Sequence, residues 1–177
     1  SIGDTPVGSV GTQPLYDPDQ RWIGTALSSF GVVYNRELVY ELLGRDEITT
    51  FDDLGDPRLF GWISFADPRQ SGSISTTLDA ILSKYGWADG WALLRRMCAN
   101  SRTFVASSAR PPLDVSQGEA AAALAIDFYG RAQGQSILAP GESPADGRVG
   151  YVDPRGAVYI DPDPISILRG GPEPELA

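Results

Sequence analysis

Histidine is missing altogether from the 177 residues. Its absence excludes a Ser-His-Asp triad, a Cys-His dyad, the usual histidine-bearing zinc site and a histidine proton shuttle. Cysteine occurs once, as Cys98, so neither an intrachain disulfide nor a CxxC redox or zinc site can form. Within the apolar stretch Leu93-Leu94-Arg95-Arg96-Met97-Cys98 that thiol reads as a buried core group. Lysine also occurs once, at Lys84, among 14 basic residues. No run of 18 apolar residues is present, so no segment reads as a membrane-spanning helix. The GxGxxG, GxxxxGK[ST] and GxSxG loops are absent, which removes dinucleotide, P-loop and nucleophile-elbow readings. Basic residues are outnumbered by 23 acidic ones, leaving a net charge of −9. That balance argues against nucleic acid or anionic lipid as the main partner.

The length suits one compact unit able to bury a core. An apolar share of 42% and a charged share of 21% exclude a disordered tail or a coiled coil. Residues 1–22 are rich in Gly, Pro and Asp and read as an irregular lead-in. They carry no basic start and no apolar core of a signal peptide, and the Gly-Pro-rich segment 166–177 reads as a linker-like stub. Ile23 to Tyr34 is a strand-rich run broken by Ser28-Ser29 and Gly31. Asn35 caps a helix that ends at Gly44. Thr49 and Thr50 precede a short capped helix, and Trp62 to Phe65 is a short apolar strand. Ile74, Leu78, Ile81, Leu82 and Tyr85 recur with helical spacing. A second helix runs from about Ala88 to Ala99 with Trp91, Leu94 and Cys98 on one side. Thr103 to Val105 is a strand, and Leu113 to Gln117 a short helix closed by Gly118. Ala120 to Ile126 is small and continuously apolar, as in a strand buried on both faces. Val149 to Val152 and Ala157 to Ile160 are the last strands. Strands alternate with helices, so the expected class is α/β with a mostly parallel sheet flanked by helices.

Four constellations carry candidate chemistry. In Asp67-Pro68-Arg69-Gln70-Ser71-Gly72-Ser73 a strand end leads through a polar turn into a helix. Free amides and the positive dipole end make such a start an anion site, with Ser71 and Ser73 as hydroxyl partners and Gly72 giving access to the backbone. The plain alternative is an N-cap serine. Asp127-Phe128-Tyr129 closes the buried strand, where open α/β sheets bind ligands. Asp127 and Tyr129 there bind a hard cation or a polar ligand, or simply cap and pack the next helix. Ser28 and Ser29 place two hydroxyls in an apolar strand, marking a crossover beside a cleft or a bend. Ser107, Ser108 and Arg110 follow a strand; the arginine fork suits a carboxylate or phosphate, and a solvated loop is the alternative. Asp52-Asp53 and Asp161/Asp163 read as capping carboxylates beside turns.

Several of these stretches together resemble the extracytoplasmic solute-binding proteins of ABC transporters, in the branch that includes the ferric-iron-binding proteins. The stretches are GTALSSFGVVYN (24–35), FDDLGDPRLFGWISFADPRQSGS (51–73), YGWADGWALLRRMCANSRTF (85–104), GEAAAALAIDFYGRAQ (118–133) and DPDPISILRGGPEPE (161–175). The resemblance implies a two-lobed fold with a ligand cleft between lobes joined by crossover strands. It implies that residues 23–165 are mainly the second lobe with both crossover segments, flanked by stubs of the first lobe at 1–22 and 166–177. It places Ser71 or Ser73 on an anion, and Phe128 and Tyr129 where iron-binding members carry two adjacent tyrosines. Phenylalanine offers no oxygen, so only Tyr129 remains of that metal pair.

The expected function is the binding component of an ABC importer. It would take a small ligand (ferric iron with an accompanying anion, or a small anionic or polar solute) and deliver it to a permease and its ATPase. The expected ligand groups are Ser28, Ser29, Ser71, Gly72, Ser73, Ser108, Asp127 and Tyr129. No catalysis and no nucleic-acid partner are expected. The expected location is extracytoplasmic, in the periplasm or at the cell surface, with the membrane met only through the permease or a lipid anchor. The alternative reading is a ligand-sensing effector domain of a transcriptional regulator.

Overall fold

The computed structural model describes residues 8–10, 13–19, 21–156 and 159–166. They form two compact units, one holding the described residues up to Ser28 with those from Ile160, the other Ser29–Tyr159. In the smaller unit, strands β1 (Ser9–Val10) and β2 (Gln13–Pro14) make a short antiparallel hairpin. Strand β3 (Ile23–Asn35) begins there and pairs with β8 (Ile160–Ile165). The Thr25 hydroxyl donates to the Asp163 carbonyl at 3.1 Å, and the Ser28 hydroxyl to the Asp163 carboxylate at 2.6 Å.

The larger unit begins with the rest of β3. Asn35 ends the strand and starts helix α1 (Arg36–Leu43): its side-chain oxygen accepts from the Glu37 and Leu38 amides at 3.1 and 3.2 Å. That satisfies two of the donors a helix start leaves free, worth about 1 kcal/mol. Gly44 stops the helix in the left-handed conformation, φ 74°, where a side chain is strained. Strand β4 (Ile63–Ala66) leads to the helical hairpin α2 (Gly72–Tyr85) and α3 (Trp87–Ala99). Strand β5 (Ser101–Val105), helix α4 (Arg110–Ser116), strand β6 (Ala122–Ile126), helix α5 (Asp127–Ser136) and strand β7 (Val149–Val152) follow.

The strand order is β5-β4-β6-β3-β7. β4 pairs parallel with β5 and with β6, and β3 pairs antiparallel with β6 and β7. Four strands therefore point one way and β3 alone opposes them. The expected α/β class with a sheet flanked by helices holds, and β3 is its antiparallel member. The cause is connectivity. α1 carries the chain from β3 past the position of β6 to β4, and α5 then carries it over β3 to β7.

Alternation along the strands builds two cores. Val32, Tyr34, Ala122 and Leu124 face a large core with Ile63, Phe65, Ile74, Ile81, Leu93 and Met97. Val33, Ala123, Ala125 and Val149 face a smaller one with Val115. Side chains on the second face are short, and α5 sits close to it through Gly130, where an added Cβ would lie 2.6 Å from Tyr151 Cδ2. Gly31 is equally constrained: a Cβ there would stand 2.2 Å from the Val152 carbonyl.

Three local expectations change. β3 is continuous from Ile23 to Asn35 through Ser28, Ser29 and Gly31: it pairs with β8 as well, and its ladder to β6 and β7 runs unbroken from Phe30 through Gly31 to Asn35. The α3 face is rotated by one residue: Gly90, Leu93, Leu94 and Met97 are buried, while Trp91 and Cys98 are exposed. Gly90 takes the seam because its missing side chain lets the backbone approach Leu82, where a Cβ would sit 3.0 Å from Cδ2. The Trp87 and Trp91 rings pack edge-on at 5.6 Å outside that seam. The turn at Asp52–Gly55 is a 3-10 turn without a side-chain cap; Asp53, inside it, instead ties down the preceding loop by accepting from the Thr49 and Thr50 amides, both at 2.8 Å. Of the strand expected at Ala157 to Ile160, residues 157 and 158 lie outside the described residues and β8 starts at Ile160.

Candidate functional site

One edge of the larger unit collects the carboxyl ends of β4, β5, β6 and β7, and β3 enters the unit there at Ser29. Open α/β sheets bind ligands at that edge.

At the end of β4 the Asp67 carbonyl accepts from the Gln70 and Ser71 amides, each at 2.9 Å, and closes the turn into α2. The Asp67 carboxylate takes Arg69 Nη2 at 2.6 Å and Nε at 3.0 Å, and this partner holds its carboxyl well below the usual carboxylate range. That turn charge is already neutralised locally. Buried Ser71 is the N-cap, accepting from the Ile74 amide at 3.4 Å, and its hydroxyl lies 3.1 Å from that of Ser73. Gly72 between them is exposed, and a Cβ there would meet nothing within 4 Å. Gly72 and Ser73 are the first residues of the helix, so their amides have no intrahelical acceptor. The half-buried Ser73 hydroxyl, backed by that of buried Ser71, two amides and the positive end of a 14-residue helix therefore meet at this start.

At the end of β6, α5 starts without a side-chain cap on Ile126. Asp127 instead accepts from the Ser29 amide at 3.3 Å. The Ser29 hydroxyl donates to Asp153 Oδ1 at 2.6 Å, and the Tyr151 hydroxyl to the same oxygen at 3.2 Å. Burial pushes the Tyr151 phenol up, so it stays a donor at neutral pH. Arg131, one turn beyond Asp127, sits over the Tyr151 ring at 4.8 Å. Its guanidinium lies 4.0 Å from Asp127 Oδ2 and 3.5 Å from Asp153 Oδ2. Phe128 and Tyr129 stand in tilted ring contact, centroids 4.4 Å apart, and Phe128 is 48% exposed.

The structure thus joins Ser71, Gly72 and Ser73 at one helix start, and Ser29 with Asp127 at another. Ser28 belongs to the smaller unit, bonded to Asp163. Ser108 is half-buried in the turn before α4. Arg110 beside it is engaged by Asp114 at 2.5 Å and Glu119 at 3.6 Å. Buried Asp114 also accepts from the Ser64 hydroxyl at 2.7 Å, which makes this corner a structural lock. Sequence reasoning missed Arg131, Tyr151 and Asp153. Arg131 carried a local signal, four residues after Asp127 on a helix. Tyr151 and Asp153 carried none, because the β3–β7 pairing brings them in from more than 120 residues away.

A cavity of about 420 Å³ lies along the body of α2, lined by Thr76, Asp79, Ser83, Lys84 and Tyr159, and contains none of the expected residues. A smaller one of about 280 Å³ is lined by Arg36, Arg131 and Tyr151 among others. Among the described residues, no group of three or more Cys, Asp or Glu side chains could hold a metal ion. No described helix is long and apolar enough to cross a membrane.

Solved structures share this fold. The periplasmic binding protein AfuA from Actinobacillus pleuropneumoniae, with exogenous fructose-6-phosphate bound, is 20% identical; the match covers 88% of this chain and 46% of that one, TM-score 0.71. A two-component system protein that mediates signal transduction is 17% identical over 98% of this chain and 57% of that one, TM-score 0.69. Iron-bound HitA from Pseudomonas aeruginosa is 18% identical over 91% of this chain and 49% of that one, TM-score 0.65. The chain spans about half the length of these proteins. No curated protein sequence matches. The model of the bacterial extracellular solute-binding protein family matches residues 6–176, and with the α/β unit and its polar carboxyl edge described, the chain belongs to that family.

Proposed function

We propose that residues 29–159 are one lobe of an extracytoplasmic solute receptor, which holds a small anionic solute and hands it to an ABC permease driven by its ATPase. The rest of the receptor supplies the remaining contacts, and no bond is made or broken. The observation that carries this reading is the start of α2: paired Ser71 and Ser73 hydroxyls above open first-turn amides, with Gly72 leaving the approach clear. Arg69 pairs with the Asp67 carboxylate at this turn, a charge that would otherwise repel an anion. AfuA, of the same fold, was solved with a phosphorylated sugar. The likeness to iron-bound HitA supports a metal–anion complex as cargo, with Tyr129 as its phenolate. Phe128 beside it offers no oxygen, which favours the anion without the metal.

Calorimetry on the full-length protein tests this. The expected result is binding of a phosphorylated or carboxylated solute in preference to ferric citrate. A folded sample that binds no anion overturns it. The likeness to a two-component system protein supports a second reading, a ligand-sensing module of a signalling protein. A DNA-binding or kinase-linked domain in the parent sequence would favour that reading, and a secretion signal the first.

A further inference from the structure

We infer that the outer stripe of α3, formed by Trp87, Trp91 and Arg95, is a docking surface for a protein segment that carries carboxylates beside an apolar side chain. None of these residues belongs to the candidate solute site. Trp87 is 75% exposed and Trp91 42%. Their rings meet edge-on at 5.6 Å, so each indole orients the other without covering it. About 300 Å² of indole surface stays in water, a patch of the size that marks interaction sites on soluble domains. The fold gains little from this placement, because Gly90, Leu93, Leu94 and Met97 already fill the buried seam of α3.

The charge along the stripe selects the partner. At 3.6 residues per turn, Trp87, Trp91, Arg95 and Cys98 fall within about 80° of one another and run along about 16 Å of the helix. All four are exposed. No carboxylate of α3 shares that sector: Asp89, its one acidic residue, lies about 160° round from Trp91. Among the described residues the Arg95 side chain makes no hydrogen bond or ion pair, while its neighbour Arg96 reaches Asp52 at 3.6 Å. Most arginines of this acidic chain are held by carboxylates, so a guanidinium without one, in line with two indoles, is an open donor fork. Tryptophan and arginine are the side chains that most often anchor protein interfaces. An anionic lipid surface is opposed by the net charge of −9. Two copies joined stripe to stripe would bring two Arg95 guanidiniums together, because a two-fold contact uses the same patch on both chains. An acidic segment with an apolar side chain matches the indoles and the guanidinium at once.

The test titrates the full-length protein with a labelled helical peptide that carries a leucine face flanked by glutamates, and with its counterpart that has lysines in place of the glutamates. The proteins are wild type, Arg95→Glu and the Trp87→Ala, Trp91→Ala double variant, read by fluorescence anisotropy. Wild type is expected to bind the glutamate peptide about tenfold more tightly than the lysine peptide. The double variant is expected to lose about tenfold on the glutamate peptide, and Arg95→Glu to lose the preference between the two. Solute binding is expected to be unchanged in both variants, so the anion-receptor reading stands or falls separately. Equal binding of the two peptides by wild type, no binding of either, or a preference that survives in Arg95→Glu overturns the inference. So does tighter tryptophan-dependent binding to phosphatidylcholine vesicles, which would make the stripe a lipid contact. Sedimentation that shows a wild-type dimer and a monomeric double variant overturns it too, because a second copy would then cover the stripe.

Discussion

Helices α2 and α5 leave strands that run in the same direction and start at the same sheet edge, yet they are built on opposite principles. α2 is anchored by large apolar residues, Ile74 and Ile81 being fully buried, and its start is neutral and capped by a hydroxyl. α5 buries only Gly130 among its residues, and its start is charged, aromatic and uncapped. The difference follows from the sheet. One face of β6 and β3 offers Leu124, Val32 and Tyr34 to a thick layer; the other offers mainly alanine and valine, on which only a glycine-bearing helix can sit close. A helix held by volume can spend its start on binding an anion. A helix held by close approach leaves its long side chains at the surface, Phe128 half in water and Arg131 over Tyr151 beside Asp127 and Asp153.

Breaking each anchor should give effects of different size and kind. Ile81→Ala should cost about 3 kcal/mol, the transfer and cavity terms of a fully buried side chain, read as a lower denaturant midpoint at unchanged slope. Gly130→Ala should cost about 1–3 kcal/mol by overpacking, because its Cβ would displace the Tyr151 ring. A cost near zero would mean that α5 is not held by close approach. Ser71→Ala should cost about 1 kcal/mol or less, since it removes a long cap bond. Ser73→Ala should leave the thermal midpoint unchanged and weaken anion binding. If both serine variants lose only stability, the α2 start is a cap and nothing more.

The smallest effect concerns pH. The folded-state pKa of Asp67 lies below its unfolded value, so its contribution is complete above the ordinary carboxylate range and is lost as the pH falls below it. Asp67→Asn should therefore flatten the acid limb of the midpoint-against-pH curve. An unaltered acid limb would show that Arg69 does not stabilise the turn.

Much of this was legible because it is local. Asn35 and Gly44 bracket α1 through their own side-chain and backbone chemistry, and the spacing of Ile74 and Ile81 marks the buried face of α2. Ala120 to Ala125 is buried throughout, as an uninterrupted small apolar run requires. What was not legible is set by partners distant in sequence. Ser28 and Ser29 look alike in the chain, but opposite sides of one strand send them to Asp163 and Asp153. The reversed direction of β3 is decided by where α1 and α5 cross, which no local pattern records. The rotated face of α3 depends on Gly90 meeting Leu82, so a helical-spacing argument that counts only large apolar residues selects the neighbouring stripe.

The receptor reading stands on an anion seated at the first turn of α2. Amide chemical-shift mapping of isotope-labelled full-length protein, titrated with a hexose phosphate, tests it most directly. The largest shifts are expected at Gly72, Ser73 and Ile74, and they are expected to be lost in the Ser71→Ala, Ser73→Ala double variant. Shifts confined to the body of α2 around Asp79 and Lys84, with Gly72 and Ser73 unmoved, would contradict it.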